Sequence, residues 1–170
     1  MPTTKTYNPI ATTTASGSDN SISFNVIPST YTRLVIVANL QHNGPSANME
    51  ELRLRFNNDT GGQSYQSVRW FGKGGYLNTG GETASSYQCG YFGSAAYQPQ
   101  VSRINVLNYV SSNQTKQMIT QWSSLGSPDP YLFYNGGIWN NTSTITSIQL
   151  STFYGYNFSS ASTFTVYGIA

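Results

Sequence analysis

The chain has 170 residues, of which 8% are charged, 38% are hydrophobic and 14% are aromatic. This length predicts one domain with a sizeable core. The aromatic content excludes a disordered chain, and the scarcity of Ala, Leu, Glu, Lys and Arg excludes a helical bundle or a coiled coil. No segment approaches the roughly 18 consecutive apolar residues that a membrane span needs, so we expect no membrane insertion.

The charge of the chain is low and dispersed. Eight Lys and Arg against six Asp and Glu give a net charge of +2. A nucleic-acid binder needs a concentrated basic face, which this spacing does not provide, so we expect no nucleic-acid partner. The one cysteine, Cys89, cannot form an internal disulfide, so the fold does not depend on an oxidising compartment.

The first 20 residues are polar, rich in threonine and interrupted by Pro2 and Pro9. They predict an extended N-terminal arm that contains one edge strand around Tyr7 to Thr14. The N-terminus lacks the apolar segment of a secretory signal. We therefore expect a protein that is made in a cytoplasm and is not exported through the secretory route.

Polar and apolar residues alternate from Ser21 onward, which predicts strands with one face in a core. The residues expected to point inward are Ile22, Phe24, Val26, Leu52, Leu54 and Phe56. Arg53 and Arg55 alternate with the last three and are expected to point outward. Residues 33–40 contain a continuous apolar run, which predicts a strand covered on both faces.

Further strands are predicted along the rest of the chain, at residues 65–71, 87–92, 103–110, 116–122, 132–134, 137–139, 145–153 and 164–167. Residues 72–84 are rich in glycine and predict a long loop. About nine or ten short strands without an amphipathic helix predict an all-β fold. We expect an antiparallel two-sheet β-sandwich of jelly-roll type, with the arm at residues 1–20 and the sandwich domain at residues 21–170.

Residues suited to catalysis are few. His42, the only histidine, lies in a loop of Gly, Pro and Asn, which predicts a solvated loop residue rather than a general base. Cys89 lies in an aromatic strand and is expected to be a small core residue. Glu50 and Glu51 would splay to opposite faces of a strand, and Asp59 fits a hairpin turn better than a calcium loop. We expect no catalytic residue, no metal site, no cofactor and no enzymatic activity.

Aromatic residues, with 13 Tyr, 8 Phe and 3 Trp, exceed what a core of this size needs. Tyrosines on loops of Gly, Ser and Asn form rigid, amphipathic contact surfaces. One hypothesis is a site that stacks on glycans, with Trp139, Tyr154 and Tyr156 as the contact residues. The other, which we favour, is that the aromatic residues fill subunit interfaces of a homo-oligomer, where Tyr and Trp are enriched.

The C-terminal third carries a pattern that resembles the closing segments of tailed-phage virion structural proteins. The residues that carry the resemblance are 145–150 (ITSIQL), Phe158 and 162–169 (STFTVYGI). Shorter similarities occur at residues 21–24 (SISF), 31–37 (YTRLVIV), 54–59 (LRFNND) and 106–109 (VLNY). Together these segments spread over most of residues 21–169.

The resemblance implies a non-enzymatic β-sandwich subunit of a bacteriophage virion, made in the host cytoplasm and assembled as a symmetric oligomer, which we expect to be a homotrimer. The first hypothesis is a capsid decoration (cement) protein that stabilises the head by bridging subunits of the major capsid protein or another virion protein. Its candidate assembly contacts are Tyr7, Pro9, Ile10 and Tyr76. The alternative is a tail fibre or baseplate appendage that recognises host-surface glycans.

Overall fold

The computed structural model describes residues 6–46, 48–97, 99–124 and 131–170. The strands in these ranges are β1 (Tyr7–Thr14), β2 (Ser21–Phe24), β3 (Arg33–Leu40), β4 (Glu50–Phe56), β5 (Tyr65–Lys73), β6 (Tyr76–Ala84), β7 (Tyr87–Phe92), β8 (Gln100–Leu107), β9 (Lys116–Ser124), β10 (Tyr131–Trp139), β11 (Ile148–Thr152) and β12 (Thr163–Ile169). The described ranges thus hold twelve strands, more than the nine or ten predicted.

The strands form two antiparallel sheets, which confirms the predicted all-β, two-sheet architecture. The larger sheet has eight strands in the order β1-β12-β3-β8-β9-β10-β5-β6, and the smaller has four in the order β2-β11-β4-β7. The sheets enclose a hydrophobic cluster to which both contribute. β7, an edge strand of the smaller sheet, packs across β8, β9, β10 and β5. With half the number of strands, the smaller sheet covers only part of the larger one.

The alternating pattern places most of the core residues where it predicted them. The buried residues among the six expected to point inward are Ile22, Phe24, Leu52, Leu54 and Phe56. Val26 is the exception and is 83% exposed. β2 ends at Phe24, so the alternation of the strand no longer governs the direction of a side chain two residues later.

The N-terminal arm contains the edge strand that the sequence predicted, with the same bounds, Tyr7–Thr14. This strand pairs with β12 of its own chain and places Tyr7 opposite Ile169. The register shifts between Pro9 and Ala11. Proline has no N–H for a ladder, and a bulge twists a strand, so both features disfavour the addition of a further strand to this edge.

The prediction of a long loop at residues 72–84 is wrong, because most of this segment is strand β6. β5 and β6 form a hairpin in which Lys73 lies opposite Tyr76. Gly74 and Gly75 form the turn with φ values of +50° and +91°, a left-handed conformation that glycine adopts without strain. The glycines of β6 obscured a strand that pairing with β5 stabilises.

Among the residues that the structure describes, there is no helix of a length and hydrophobicity that could span a membrane.

Candidate functional site

The outer side of the larger sheet carries a face without charge on β9, β10, β5 and β6. Directly opposed residues of antiparallel strands share a face, so the register of these strands identifies the side chains that point away from the smaller sheet. They are Gln117, Ile119, Gln121, Ser123, Leu132, Tyr134, Gly136, Ile138, Gln66, Val68, Trp70, Gly72, Leu77, Thr79, Gly81 and Thr83. None of them is Asp, Glu, Lys or Arg. We call this surface the charge-free face.

Large apolar side chains are exposed on the charge-free face. Val68 and Leu77 are 70% and 71% exposed. Trp70 is 48% exposed and stacks on Tyr134, with ring centroids 5.0 Å apart and planes 14° from parallel. Ile119 on β9 and Leu132 on β10 add two further exposed apolar groups, so the face carries five. Contiguous apolar groups without charge are typical of surfaces that bind other proteins.

A shallow groove of about 700 Å³ crosses the middle of the charge-free face. Gly81 and Gly136 lie on its floor, in the same row of the sheet as Val68 and Ile119. A Cβ atom on Gly136 would meet no atom of the described residues within 4 Å, so the floor is open to a ligand or a partner. The two glycines lower the surface beside Val68 and Ile119, and a complementary side chain could pack into the resulting depression.

Charged side chains of the same strands point to the inner side. Arg69 of β5 and Glu82 of the adjacent β6 pair there, with Nη1 of Arg69 3.3 Å from Oε2 of Glu82. Glu82 also accepts a hydrogen bond of 2.6 Å from Nη1 of Arg53, and Arg53 in turn pairs with Glu51. This chain of four charges ties the β5–β6 hairpin to the smaller sheet.

Arg53 was expected to point toward solvent, but it is 6% exposed. The Phe153 ring covers its guanidinium, whose Cζ lies 4.6 Å from the ring centroid, and the two glutamates supply its counter-charge. Burial raises the pKa of Glu51 to about 7, although Arg53 opposes the shift. The prediction that Glu50 and Glu51 would splay at a strand start did not anticipate that both carboxylates are buried.

A second concave surface lies at one end of the smaller sheet. Its volume is about 360 Å³, and its lining consists of Asn48, Met49, Tyr91, Tyr154 and Tyr156. We call it the tyrosine pocket. Tyr154 is 60% exposed, and Tyr91 comes from β7, so the pocket joins a strand to two loops.

The carboxylate of Glu50 holds the loop that carries Tyr154 and Tyr156. Oε1 accepts hydrogen bonds from the backbone N–H groups of Phe153 and Tyr154 at 2.9 and 2.8 Å, and of Glu51 at 2.7 Å. Oε2 accepts one from the N–H of Tyr156 at 3.0 Å. The side chain of Glu50 is fully buried, so its hydrogen bonds to three N–H groups of this turn fix the backbone there.

His42 supports the same loop from beneath, and the prediction that it is solvated is wrong. Its ring is buried and stacks on Tyr156, with centroids 5.2 Å apart. Nδ1 accepts a hydrogen bond from the N–H of Gly44 at 3.0 Å, and Nε2 donates one to the carbonyl oxygen of Asn48 at 3.1 Å. These roles are those of a neutral imidazole, and burial lowers the pKa of His42.

The other acidic residues that the structure describes are also held in structural contacts. Asp59 accepts hydrogen bonds from the Gly61 N–H and the Ser64 hydroxyl at 2.9 Å each, and from Nε1 of Trp139 at 2.7 Å. Asp19 accepts one from the N–H of Ser16 at 2.7 Å. Within the described ranges, no three His, Cys, Asp or Glu side chains come together as a metal site would require.

The candidate assembly contacts lie on opposite edges of the larger sheet. Tyr7, Pro9 and Ile10 belong to β1 at one edge, and Tyr76 is 81% exposed at the β5–β6 turn of the other. The Tyr7 hydroxyl accepts a hydrogen bond of 2.6 Å from Arg103. Ile10 packs partly against the core. The structure does not bring the two groups together within one chain.

Trp139 cannot be the glycan platform that the sequence suggested, since it is only 1% exposed. Its indole N–H is bound to Asp59, and its ring packs on Phe56 and Tyr65. Tyr154 and Tyr156, the other two candidates, do lie together in the tyrosine pocket. Cys89 is buried, as predicted, and burial raises the pKa of its thiol.

Sequence reasoning missed Trp70, Val68 and Tyr91 as surface residues. In β5 both alternating sets contain large apolar groups, Tyr65 and Phe71 in one and Val68 and Trp70 in the other, so the pattern does not say which set faces the core. Arg69 and Lys73 belong to the first set, so charge alone would predict that this set faces solvent. In the structure this set, with both charged groups, lies on the inner side.

Comparisons with protein-family models, with curated proteins and with solved structures found no match for this chain. The fold and the two surfaces define an all-β protein of two packed antiparallel sheets, with a charge-free face on the larger sheet and a tyrosine pocket at one end of the smaller sheet.

Proposed function

We propose that this protein is a non-enzymatic structural subunit of a tailed-phage virion, a decoration (cement) protein that stabilises the head by bridging capsid subunits. Its mechanism is the burial of the charge-free face against the major capsid protein or another virion protein. Binding to the assembled lattice and not to its separated subunits stabilises the lattice by mass action. Its place of action is the virion, after synthesis in the host cytoplasm.

The charge-free face carries this proposal. The cores of protein interfaces are depleted in charged residues and enriched in aromatic ones. The charge-free face matches that description, because the exposed Trp70 stacks on Tyr134, Val68 and Leu77 are exposed, and a groove with glycines on its floor lies beside them. A rigid sheet of paired strands also presents these groups without a large entropy loss on binding.

The acidic groups and His42 are engaged in hydrogen bonds and ion pairs within the protein, which supports the non-enzymatic part of the proposal. A general acid or base must be able to reach a substrate proton. Glu50 accepts four backbone hydrogen bonds, Glu51 and Glu82 pair with arginines, and both nitrogens of His42 are engaged. These groups stabilise loops and strand edges.

The free edges of the larger sheet support the homotrimer. Tyr76 at one edge and Tyr7 and Ile10 at the other would meet if subunits associate head to tail, and such a contact forms a ring when the rotation between subunits closes. Because Pro9 and the bulge disfavour strand addition at β1, we expect this contact to be made by side chains and not by a continuous sheet.

The first test is the copy number of this chain in purified phage particles, measured by quantitative mass spectrometry against the major capsid protein. A decoration protein gives a ratio near that of the capsid protein. A few copies per particle would contradict the decoration proposal and favour a tail position, and absence of the chain from the particle would contradict any virion role.

The second test is the binding of purified protein to particles that lack it. Val68→Lys and Ile119→Lys each place a charge in the charge-free face, and we expect at least about tenfold weaker retention on the particle because the interface would bury an unpaired ammonium. Val26→Lys is the matched control, since Val26 is 83% exposed and lies outside the face. Equal retention of all three variants would show that the face is not the interface.

A further inference from the structure

The tyrosine pocket has the composition of a small-ligand site. Ligand sites are concave, are lined by aromatic and apolar groups, and contain a few placed polar groups that orient the ligand. The pocket of about 360 Å³ offers three tyrosine side chains, the thioether of Met49 and the amide of Asn48. Each tyrosine presents an apolar ring beside a hydroxyl, so the lining alternates between stacking surface and hydrogen-bonding groups.

The pocket is preorganised by groups that do not line it. Glu50 fixes the turn at residues 153–156 through the backbone, and Gly155 adopts φ +93° within that turn. The Tyr156 ring rests on His42, and its hydroxyl accepts a hydrogen bond of 2.5 Å from Nδ2 of Asn48. A site whose side chains are already held loses little entropy when a ligand binds.

The electrostatics of the pocket favour a neutral ligand. Directly behind the lining, the oxygens of Glu50 already accept four backbone hydrogen bonds, and Glu51, which lies opposite Tyr91, pairs with Arg53. His42 is neutral, because burial lowers its pKa and its Nδ1 accepts a hydrogen bond from the N–H of Gly44. Among the described residues of the lining none is charged, so an anionic or cationic ligand would lose hydration without gaining a partner.

From this lining we propose that the tyrosine pocket binds a neutral carbohydrate, with the apolar face of one pyranose ring against Tyr154 and its hydroxyl groups toward Asn48 and the hydroxyl of Tyr156. A pyranose combines an apolar C–H face with a rim of hydroxyls, which is the combination that the pocket presents. An extended proline-rich peptide also binds aromatic surfaces, but it uses a groove of successive sites, whereas this pocket is a single compact hollow. The inference does not depend on the proposed virion role.

The test uses the full-length protein on an array of neutral, acidic and sulfated glycans that also carries proline-rich peptides, followed by titration of the best neutral glycan. We expect binding to at least one neutral glycan and a loss of roughly two- to tenfold in affinity for Tyr154→Ala, because an aromatic contact contributes roughly 0.5–1.5 kcal/mol and tenfold corresponds to about 1.4 kcal/mol. Tyr154 is 60% exposed, so this variant is expected to fold.

Val26→Ala is the control, since Val26 is 83% exposed, does not line the tyrosine pocket and takes no part in the proposed subunit contact. It should bind the glycan as the unchanged protein does. Failure to bind any neutral glycan, binding only to acidic glycans or to peptides, or equal affinity of Tyr154→Ala and Val26→Ala would each overturn the proposal. Copy number in the particle is a separate measurement, so failure here leaves the decoration proposal standing.

Discussion

Glu51 is a carboxylate that the fold buries beside a single guanidinium. Its side chain pairs with Arg53, which Glu82 shares, while Arg69 pairs with the other oxygen of Glu82. Tyr91 lies opposite Glu51 on β7, and the charge of Glu51 contributes to the raised pKa of that tyrosine. Two glutamates and two arginines balance formally, but burial still favours the protonated form of Glu51.

The pKa of Glu51 predicts a stability that falls as the pH rises. The pKa is about 7 in the folded protein against 4.5 without burial, so between these values the folded chain holds a proton that the unfolded chain has lost. The contribution is complete below pH 4.5 and is lost as the pH rises through 7. We expect a loss on the order of 3 kcal/mol in the unfolding free energy, measured by urea denaturation from pH 5 to 7.

Glu51→Gln is the variant that isolates this effect, because it keeps the shape of the side chain and does not titrate. His42, with its lowered pKa, contributes an opposite slope below about pH 6.5, and this slope should remain in the variant. The difference between the two proteins should therefore shrink or change sign toward low pH. A difference that does not vary with pH would show that Glu51 does not titrate in this range.

Single residues show where the sequence was insufficient. His42, Arg53 and Trp139 were each assigned from their own chemistry and neighbours in sequence. Their burial depends on partners distant in the chain, which are Tyr156 for His42, Phe153 for Arg53 and Asp59 for Trp139. Cys89 was assigned correctly because its strand neighbours already indicated a core position.

At the scale of one element, β10 contains two adjacent glycines with opposite surroundings. A Cβ atom on Gly137 would lie 2.6 Å from the carbonyl oxygen of Gln66 and 2.6 Å from Cε2 of Tyr87, whereas one on Gly136 would meet nothing within 4 Å. Gly137 points inward, where the strand passes closely over its neighbours, and Gly136 points into the groove of the charge-free face.

This asymmetry predicts different outcomes for the same substitution at neighbouring positions. Gly137→Ala should lower the unfolding free energy by about 1–3 kcal/mol, because backbone and a packed ring must move. Gly136→Ala should be neutral or stabilising by up to about 1 kcal/mol, because alanine suits a strand better than glycine. Thermal or urea unfolding of the two variants checks this, and equal stabilities would contradict the inward and outward assignment of β10.

Strands with a clean alternation were predictable, and strands that depend on a neighbour were not. β2 and β4 were identified with their buried residues because only one alternating set is apolar. β6 combines four polar residues, two glycines and an exposed tyrosine, and it forms a strand through its pairing with β5. The charge-free face could not be predicted either, because it consists of residues from four strands that come together only when the strands pair.

At the scale of the whole molecule, the larger sheet has two strand edges, at β1 and β6, that pair with no other strand of the described residues. Natural proteins protect such edges, because unpaired N–H and C=O groups invite association. β1 carries Pro9 and a bulge. β6 has neither feature, and the adjoining turn exposes Tyr76. The β6 edge is therefore the side of the molecule where association of copies is best supported.

The trimer proposal predicts a solution mass of three times 18.6 kDa, measured by light scattering coupled to size-exclusion chromatography. Tyr76→Asp should shift the population toward the monomer, because it places a charge in the contact between subunits. Tyr154→Asp changes an exposed tyrosine elsewhere and should leave the mass unchanged. A monomeric unchanged protein, or equal masses for the two variants, would contradict a contact through Tyr76.

The absence of charged side chains from the charge-free face also bears on how fast and under which conditions a partner is captured, and Arg103 of β8 borders this face at Gln121. A surface without charge exerts no long-range attraction, so association through it proceeds at the unsteered rate of about 10⁵–10⁶ M⁻¹s⁻¹. Salt weakens only interactions between charges, so the complex should persist from dilute buffer to molar salt. A partner that attaches through this face is therefore captured slowly, and its affinity depends little on ionic strength.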